Sequence, residues 1–409
     1  MSETFPAYHE RIDELRGQLA ERGSLGLLVL DLSALAALEY EYGSEPYEEV
    51  RQRLFRVLTE QRGRDYRGGD IIALDEPRGL RFLLFLERKR RQSLPTTPGD
   101  LRAVRTRVLS GLVPALSRTV FPYFKAPLRI ELGHALALQN PLVQAERIVH
   151  RAIVEAIESA AHFRRVEELA MRERLQDIIV RDRLVTAYQP IQRLSDRTLL
   201  GFEALSRGAR GTGLETADAL FGVAAQHELL LELDRLCRSR ALLQSGRIPS
   251  NVKVFINTLP ATIRDPAFRG RPLITFLDRA QVAPHRIVLE ITEKLVIENY
   301  GLFREAMAYF TDLGVSFAVD DVGAGYSGLE SIASLKPAFL KIDIALVRDV
   351  HVSVVNREMV KALIAMGRGI GATVIAEGIH SEAEVDALRT MGIEYGQGYF
   401  LARPEFPPE

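Results

Sequence analysis

Apolar runs of strand length recur along the second half of the chain, and amphipathic helical stretches separate most of them. Strands that alternate with helices predict a parallel sheet, and eight such units in about 220 residues predict a closed (β/α)₈ barrel. The eight predicted strands are Thr186–Leu194, Leu199–Leu205, Val252–Ile256, Ile287–Ile291, Val315–Val319, Phe339–Ile342, Val374–Ala376 and Tyr399–Leu401. The predicted helices are Glu215–Leu243, Ala261–Ala280, Lys294–Asp312, Tyr326–Leu335, Val355–Ile370 and Ser381–Met391.

The link between the first two predicted strands is short and polar. It contains Ser195–Arg197 and a neighbour or two. A parallel crossover needs a dozen or more residues, whereas a link of this length makes an antiparallel hairpin. The sequence therefore predicts that one strand of the barrel runs backward.

Residues 24–150 have the pattern of a separate α/β unit with an antiparallel sheet. The predicted strands are Leu25–Leu30, Ile71–Leu74, Leu80–Leu86 and Leu128–Leu136. Between the second and third of these strands stands Asp75–Gly79, and the Asp, Pro and Gly residues in it are typical of a hairpin turn.

The segment from Gln144 to Arg183 lacks glycine and proline and is rich in residues that favour helices. It predicts one or two long helices between the units, either as a solvated connector or as a helix that carries a signal or forms a seam between two copies of the chain. The resulting domains are an N-terminal helix or tail (1–23), the α/β unit (24–150), a helical linker (151–183) and the barrel (184–409).

The charges of the chain nearly cancel, with 53 basic and 54 acidic residues. Such a balance argues against duplex nucleic acid as a partner. A lone cysteine, Cys237, excludes an internal disulfide and fits a buried thiol in a reducing compartment. We find no signal peptide pattern and no apolar run long enough to cross a bilayer, so we expect a cytoplasmic protein without membrane insertion.

Polar residues stand at the ends of seven predicted barrel strands, where (β/α)₈ barrels carry their chemistry. One acidic residue after a strand often does no more than cap a helix, but a series of seven favours a shared site. Carboxylates and amides suit Mg²⁺ or Mn²⁺ better than zinc, two such ions can clamp a phosphoryl group, and a lysine can orient water. The residues at the strand ends are Glu203, Asn257, Glu290, Asp320 with Asp321, Lys341, Glu377 and Gln397.

Eight motifs between residues 184 and 404 resemble those of the EAL domain family. They occur in the family's order and cover the whole predicted barrel. The motifs are Tyr188–Ile191, Gly201–Arg207, Asn257, Glu290–Glu293, Asp320–Ser327, Leu340–Asp343, Ala376–Gly378 and Gln397–Tyr399.

The resemblance implies a barrel with an antiparallel first strand that hydrolyses cyclic di-GMP to linear pGpG with two Mg²⁺ or Mn²⁺ ions. It implies catalytic roles for Lys341, Glu203 and Glu377, and makes Glu293 the anchor of the loop after Asp321. The implied metal ligands are Glu203, Asn257, Glu290, Asp320, Asp321 and Glu377. The implied substrate contacts are Gln189, Leu205, Arg207, Asp234, Asp343 and Gln397.

The loop after the aspartate pair departs from the family pattern. Val322, Ala324 and Gly328 replace the usual Phe, Thr and second Ser, and His380 stands where a Glu is common. Loss of the Thr hydroxyl removes one hydrogen bond, typically worth about 0.5–1.5 kcal/mol. Two alternatives to an active phosphodiesterase therefore stay open: a receptor for cyclic di-GMP that does not hydrolyse it, and a protein-interaction module that binds no nucleotide.

The N-terminal unit resembles a degenerate GGDEF domain, in which Asp31 matches a metal position. Ser33 and Glu39 stand where that family usually has Asp and Asn, and the predicted hairpin Asp75–Gly79 lacks the signature. Gly68–Asp70 repeats part of the signature but precedes a strand. We expect a regulatory or dimerising unit without cyclase activity, and a homodimer.

Overall fold

The computed structural model describes residues 5–86, 96–120, 130–292, 300–323, 332 and 336–406. It divides into two compact units, Met1–Ala170 and Met171–Glu409. Among the described residues, no helix is long and apolar enough to cross a bilayer.

The first unit contains a four-stranded antiparallel sheet, as predicted. Its strands follow the order β2-β3-β1-β4, and the element order of strand, helices, two strands, helix and strand is that of the ferredoxin-like arrangement. Leu28, Phe55 and Phe82 are fully buried between the sheet and the helices. The elements are α1 (Ile12–Arg22), β1 (Ser24–Asp31), α2 (Ala37–Tyr42), α3 (Ser44–Glu60), β2 (Ile71–Leu74), β3 (Arg81–Leu86), α4 (Pro98–Val120) and β4 (Glu131–Leu138).

A single helix, α5 (Ala145–Val180), occupies the predicted linker, and the division between the two units falls within it. Its first half packs on β4 at very short range. A Cβ atom on Gly133 would lie 1.8 Å from the carbonyl oxygen of Ala156, so only glycine permits this approach.

The second unit is a closed eight-stranded barrel with surrounding helices, which confirms the predicted fold class. β5 and β6 form the predicted antiparallel hairpin, and the strands from β6 to β12 run parallel. The strands are β5 (Val185–Arg193), β6 (Leu199–Arg207), β7 (Lys253–Asn257), β8 (Ile287–Thr292), β9 (Ser316–Val322), β10 (Phe339–Ile342), β11 (Thr373–Ala376) and β12 (Tyr395–Gly396). The helices are α6 (Ala217–Gln226), α7 (Leu230–Gln244), α8 (Gly270–Ala280), α9 (Tyr300–Asp312), α10 (Ile344–Val347), α11 (Val354–Ile370) and α12 (Glu382–Met391).

The eighth strand was predicted at the wrong place. It is β12, whereas Tyr399–Leu401 forms a turn closed by the Leu401 N–H on the Gly398 carbonyl. Gly398 lies so close to the backbone of Ile379 that an added Cβ would approach it to 2.2 Å, and the chain bends there instead of extending.

Two predicted helices were too long. Glu215–Leu243 is divided into α6 and α7 at Glu228, whose φ of 58° interrupts the helix. Ala261–Ala280 begins with two short 3₁₀ turns, each opened by a proline, before α8. Of two further predicted helices, residues 294–299, 326–331 and 333–335 lie outside the described residues.

Candidate active site

The ammonium group of Lys341 on β10 is the centre of the barrel mouth. Its Nζ atom lies 2.8 Å from Glu290 Oε1, 3.3 Å from Glu203 Oε2, 3.3 Å from Asp320 Oδ1 and 2.5 Å from Glu377 Oε1. These carboxylates come from β6, β8, β9 and the residue after β11. The parallel strands thus deliver to one place the side chains that the sequence puts at separate strand ends.

Amide side chains connect the acidic group to the neighbouring strands. Asn257 Nδ2, at the end of β7, donates to Glu203 Oε1 at 3.0 Å. Gln397 Nε2 lies 2.6 Å from Glu203 Oε2 and 2.8 Å from Gln189 Oε1. Gln189 Nε2 in turn donates to the carbonyl of Ala402 at 3.0 Å. Each of these contacts fixes the rotamer of a candidate ligand or of its support.

The consecutive carboxylates Asp320 and Asp321 belong to two overlapping acidic groups. Asp321 has a φ of 58°, in the left-handed region, and its N–H donates to Asp320 Oδ1 at 3.0 Å. Ligand atoms lie within 4.8 Å of one another in each group: Glu203, Glu290 and Asp320 in one, Asp320, Asp321 and Glu377 in the other. Asp320 is common to both, as a residue between two metal ions would be.

Burial and mutual charge set the protonation of the carboxylates. Burial raises the pKa of Glu290 well above its usual range, and the charges of Glu203, Asp320 and Glu377 add to this rise against the opposing charge of Lys341. The pKa of Glu377 is likewise raised well above its usual range, first by burial and then by Asp320. The acidic group is thus short of positive charge.

The pKa of Glu203 shifts in the opposite direction. Its burial favours the neutral acid, but the charge of Lys341 and the hydrogen bonds from Gln397 and Asn257 outweigh this and lower the pKa. For Lys341, burial opposes the charge, yet the surrounding carboxylates, Asp320 and Glu203 first, raise its pKa well above the ordinary value. Glu203 and Lys341 are therefore an ionised pair inside the mouth.

Asp321 lies at the edge of this group. Burial, the charge of Asp320 and the charge of Asp343 raise the pKa of Asp321 to about 6. A nearby cation would favour the ionised form.

The donor set fits divalent cations. Both oxygens of Glu290 are buried, and within the described part of the chain neither accepts a hydrogen bond with good geometry. Four carboxylates contact one ammonium group, which cannot compensate all of them in the ionised form, and hard cations with oxygen ligands would supply the missing positive charge.

A pocket of about 460 Å³ opens beside the acidic group, within the size range of small-ligand sites. Leu205 and Asn257, at the ends of β6 and β7, line one side of it, and Asp234 and Cys237 of α7 line the other. Burial raises the pKa of Cys237 to about 12, so the thiol stays protonated. The sequence analysis likewise expected a buried thiol.

The other expected substrate contacts lie around the mouth. Arg207, at the end of β6, donates to the neighbouring carbonyl of Ser206 at 2.9 Å and is partly exposed. Asp343 caps α10 by accepting the Ala345 N–H at 2.8 Å. Glu293 and residues 324–328 of the altered loop lie outside the described residues.

The residues around His380 form a further acidic group that the sequence did not suggest. Asp349, His351 and Glu384 have ligand atoms within 4.8 Å of one another. The Glu384 carboxylate, however, already accepts the backbone N–H groups of Asp349, His380 and Ser381, and it forms the capping box of α12. These bonds give the group a structural role.

A second unexpected feature is the buried Arg238, which contacts Asp234 and Asp265. The spacing of Asp234 and Arg238, four residues apart on one helix, was the available signal. No sequence pattern connects either residue with Asp265, because that contact is made by the fold.

The barrel and its acidic mouth define the class of the protein. The EAL domain family model matches residues 172–404, more than half of the chain, and the chain belongs to this family.

Curated relatives carry related names. The chain is 31% identical over 253 residues to the cyclic di-GMP phosphodiesterase NbdA of Pseudomonas aeruginosa, covering 59% of this chain and 31% of that protein. It is 29% identical over 248 residues to the signalling protein YkoW of Bacillus subtilis, covering 59% of this chain and 30% of that protein. The chain therefore spans about a third of the length of these relatives.

A solved structure shares the fold. The EAL domain of FimX from Xanthomonas citri, in complex with c-di-GMP, is 23% identical and has a TM-score of 0.53. The match covers 60% of this chain and 96% of that one.

Proposed function

We propose that this chain hydrolyses cyclic di-GMP to linear pGpG with the help of two Mg²⁺ or Mn²⁺ ions. The observation that carries the proposal is the Glu290 carboxylate, which is buried among three other carboxylates with Lys341 as its cationic neighbour. The membership of the chain in the EAL family and the name of the relative NbdA support cyclic di-GMP as the substrate.

The acidic and amide side chains of the mouth would hold the ions. We assign Glu203, Glu290 and Asp320 to one ion and Asp320, Asp321 and Glu377 to the other, on the basis of the two groups of ligand atoms. Asn257 would complete the first set through its side-chain oxygen, since its nitrogen already donates to Glu203. When bound, such ions lower the pKa of water and neutralise charge on the phosphate.

The reaction adds one water molecule across one P–O3′ bond of the ring. The product keeps a 5′-phosphate at one end, and the leaving 3′ oxygen takes up a proton. We assign to Lys341 the orientation of the water and the stabilisation of negative charge that develops at phosphorus, because its ammonium is fully buried and fixed by carboxylates. Gln397 and Gln189 keep Glu203 in its rotamer.

The substrate would lie across the mouth. Arg207, partly exposed at the end of β6, is the candidate contact for a phosphate. The pocket lined by Leu205 and Asp234 is large enough for one base. Gln189, Asp343 and Gln397 are the remaining candidate contacts at the rim.

The N-terminal unit would regulate the barrel rather than make cyclic di-GMP. Arg81 lies between Asp31 and Asp75, with Nε 2.9 Å from one carboxylate and Nη1 2.7 Å from the other. Its guanidinium thus neutralises Asp31, the residue that matches a metal position in the GGDEF resemblance. We propose the regulatory role for this unit that the sequence suggested. We also propose the cytoplasmic location that the sequence suggested for the whole chain.

A homodimer is part of the same proposal. Val352, Val354, Val355 and Met359, before and along the first turns of α11, expose aliphatic side chains. We place a second copy against this patch, with Val355→Glu expected to shift the chain to a monomer in light scattering. An unchanged mass would contradict this assignment.

The decisive experiment is a turnover assay on the full chain with Mn²⁺ or Mg²⁺ and cyclic di-GMP, in which pGpG is separated by chromatography. We expect metal-dependent pGpG formation that falls by more than about 100-fold in Glu290→Gln, because a ligand loses its charge. The matched control is Glu358→Gln, which changes an exposed glutamate of α11 paired with Lys361.

The competing function is a receptor that binds cyclic di-GMP without cleaving it. It is favoured by the altered loop from Val322 to Gly328. Intact cyclic di-GMP recovered after tight binding in the presence of metal would select the receptor, and would contradict hydrolysis.

A further inference from the structure

A second buried charged network lies beside the pocket, and Asp234 belongs to both. Arg238 of α7 is 1% exposed, and its Nε lies 2.8 Å from Asp234 Oδ2. Its Nη2 lies 3.4 Å from Asp265 Oδ2, and its guanidinium is 4.2 Å from the centre of the Phe268 ring. Arg235 closes the network with two bonds of 2.8 Å to the Asp265 carboxylate.

The network fixes the chain segment that follows the candidate ligand Asn257. Asp234 Oδ1 accepts the Leu259 N–H at 3.2 Å, and Asp234 Oδ2 accepts the Thr262 hydroxyl at 2.5 Å. Asp265 lies further along the same segment and caps its next short turn. Residues 258–268 are therefore tied to α7 through a pair of carboxylates that share one guanidinium.

Asp234 and the beginning of the segment that it holds line the pocket of about 460 Å³. Asn257, Thr258 and Leu259 lie on one side, and Asp234 lies on the other. A carboxylate buried without a cation would lose its charge or turn toward solvent, since burial alone is costly for an ion. Arg238 supplies that cation, and it thereby holds Asp234 in the pocket wall and keeps residues 258–268 in position.

From these contacts we propose that Arg238 is a positioning residue for the substrate: it holds Asp234 and the segment after Asn257 so that the pocket accepts one guanine base of cyclic di-GMP. This rests on the proposed function. Asn257 itself has separate supports, because its amide donates to Glu203 and the neighbouring Thr258 N–H donates to the Glu290 carbonyl at 2.9 Å. Loss of Arg238 therefore acts on substrate binding and spares the candidate metal ligands.

The test is steady-state hydrolysis of cyclic di-GMP by the full chain with Mn²⁺, for the wild type, Arg238→Met and Arg238→Lys. Methionine keeps the packing on Phe268 and removes the charge, whereas lysine keeps the charge but cannot bridge both aspartates. We expect KM to rise about tenfold in Arg238→Met, with kcat and the Mn²⁺ activation constant within about twofold of the wild type. The KM of Arg238→Lys should lie between that of Arg238→Met and that of the wild type.

The matched control is Arg286→Met. Arg286 is also a buried arginine of the barrel, but it donates to the Val252 and Pro249 carbonyls at the opposite end of the strands. Its replacement should lower the melting temperature without raising KM, which separates positioning from general destabilisation.

The outcomes are distinct. A wild type that neither binds nor hydrolyses cyclic di-GMP would contradict the proposed function itself. An active wild type with unchanged KM in Arg238→Met, or an equal rise of KM in Arg286→Met, would overturn the positioning role. If Arg238→Met does not fold, Arg238→Lys decides, and a wild-type KM in that variant would overturn the role as well.

Discussion

Lys341 Nζ and Glu290 Oε1 lie 2.8 Å apart, and neither side chain has any contact with solvent. Removal of one partner of such a buried pair strongly destabilises the fold, because the remaining charge stays buried without compensation. Here one ammonium serves several carboxylates, and the mouth is therefore sensitive to any change in positive charge.

Replacement of Lys341 should make the stability of the barrel dependent on metal. In EDTA we expect Lys341→Met to unfold about 3–5 kcal/mol more easily than the wild type. Added Mn²⁺ should restore part of this loss, since an ion at about 100 times its Kd contributes about 2.7 kcal/mol. Thermal denaturation with EDTA and with Mn²⁺ measures both effects.

The control for this variant is Lys361→Met, an exposed lysine of α11 whose partner is Glu358. It should change the free energy of unfolding by no more than about 0.5 kcal/mol. Absence of any stabilisation by Mn²⁺, in Lys341→Met and in the wild type alike, would argue against metal binding among these carboxylates.

Replacement of Gln397 should weaken metal activation. Gln397→Met keeps the size of the side chain but removes the N–H donors to Glu203 and Gln189. Supports of this kind typically contribute about 10–100-fold to metal affinity, and we expect the Mn²⁺ concentration for half-maximal activity to rise accordingly. Gln192→Met, at the far end of β5, serves as the control, and an equal change in both variants would refute the role of Gln397.

A methyl group at Gly133 should destabilise the N-terminal unit. The added Cβ would collide with the Ala156 carbonyl, so β4 and α5 must separate, at a cost of about 1–3 kcal/mol. Urea denaturation, resolved by hydrogen-exchange mass spectrometry of peptides from β1 and β4, measures the effect. The matched control is Gly17→Ala in α1, where the Cβ meets no atom within 4 Å and the change should be neutral or stabilising. Equal behaviour of the two variants would contradict the close approach.

The stability of the same unit should fall in acid through Asp31. Burial raises the pKa of Asp31, but hydrogen bonds from Ser33 and Arg81 and the charge of Arg81 outweigh it, so the native pKa lies below the ordinary 3.8. The native state thus binds fewer protons than the unfolded state. The stabilisation by Asp31 is complete at a pH well above its ordinary pKa of 3.8, and it is lost as the pH falls through the lowered pKa of the native state.

Comparison of Asp31→Asn with the wild type tests this dependence. The difference in urea midpoint should be largest near pH 6 and should close below pH 3.8. A difference in urea midpoint that widens in acid would contradict the lowered pKa of Asp31.

The sequence predicted the barrel and the identity of its mouth residues because strand and helix periods alternate so regularly. Glu203, Glu290, Asp320 and Lys341 could be found as polar ends of apolar runs. Their mutual distances could not, since those depend on the closure of eight strands. Tyr399–Leu401 was misplaced because the Phe400 N–H donates to the Ile379 carbonyl and holds the segment in a turn, a contact between distant parts of the chain.

Contacts that no local pattern encodes were also missed. The Asp265 carboxylate meets Arg235 and Arg238 across 27 to 30 residues, and nothing in the spacing indicates this. The break between α6 and α7 was overlooked because Glu228 adopts a left-handed conformation that its residue type does not demand.

The reversed direction of β5 determines where the chain enters the barrel. Val185, its first residue, pairs with Arg207 at the mouth, whereas a fully parallel barrel would begin at the opposite end. Only residues 181–184 separate the last turn of α5 from this point. A shift or rotation of that helix would thus reach first the rim that carries the candidate metal ligands, with no need for a signal to cross the barrel wall.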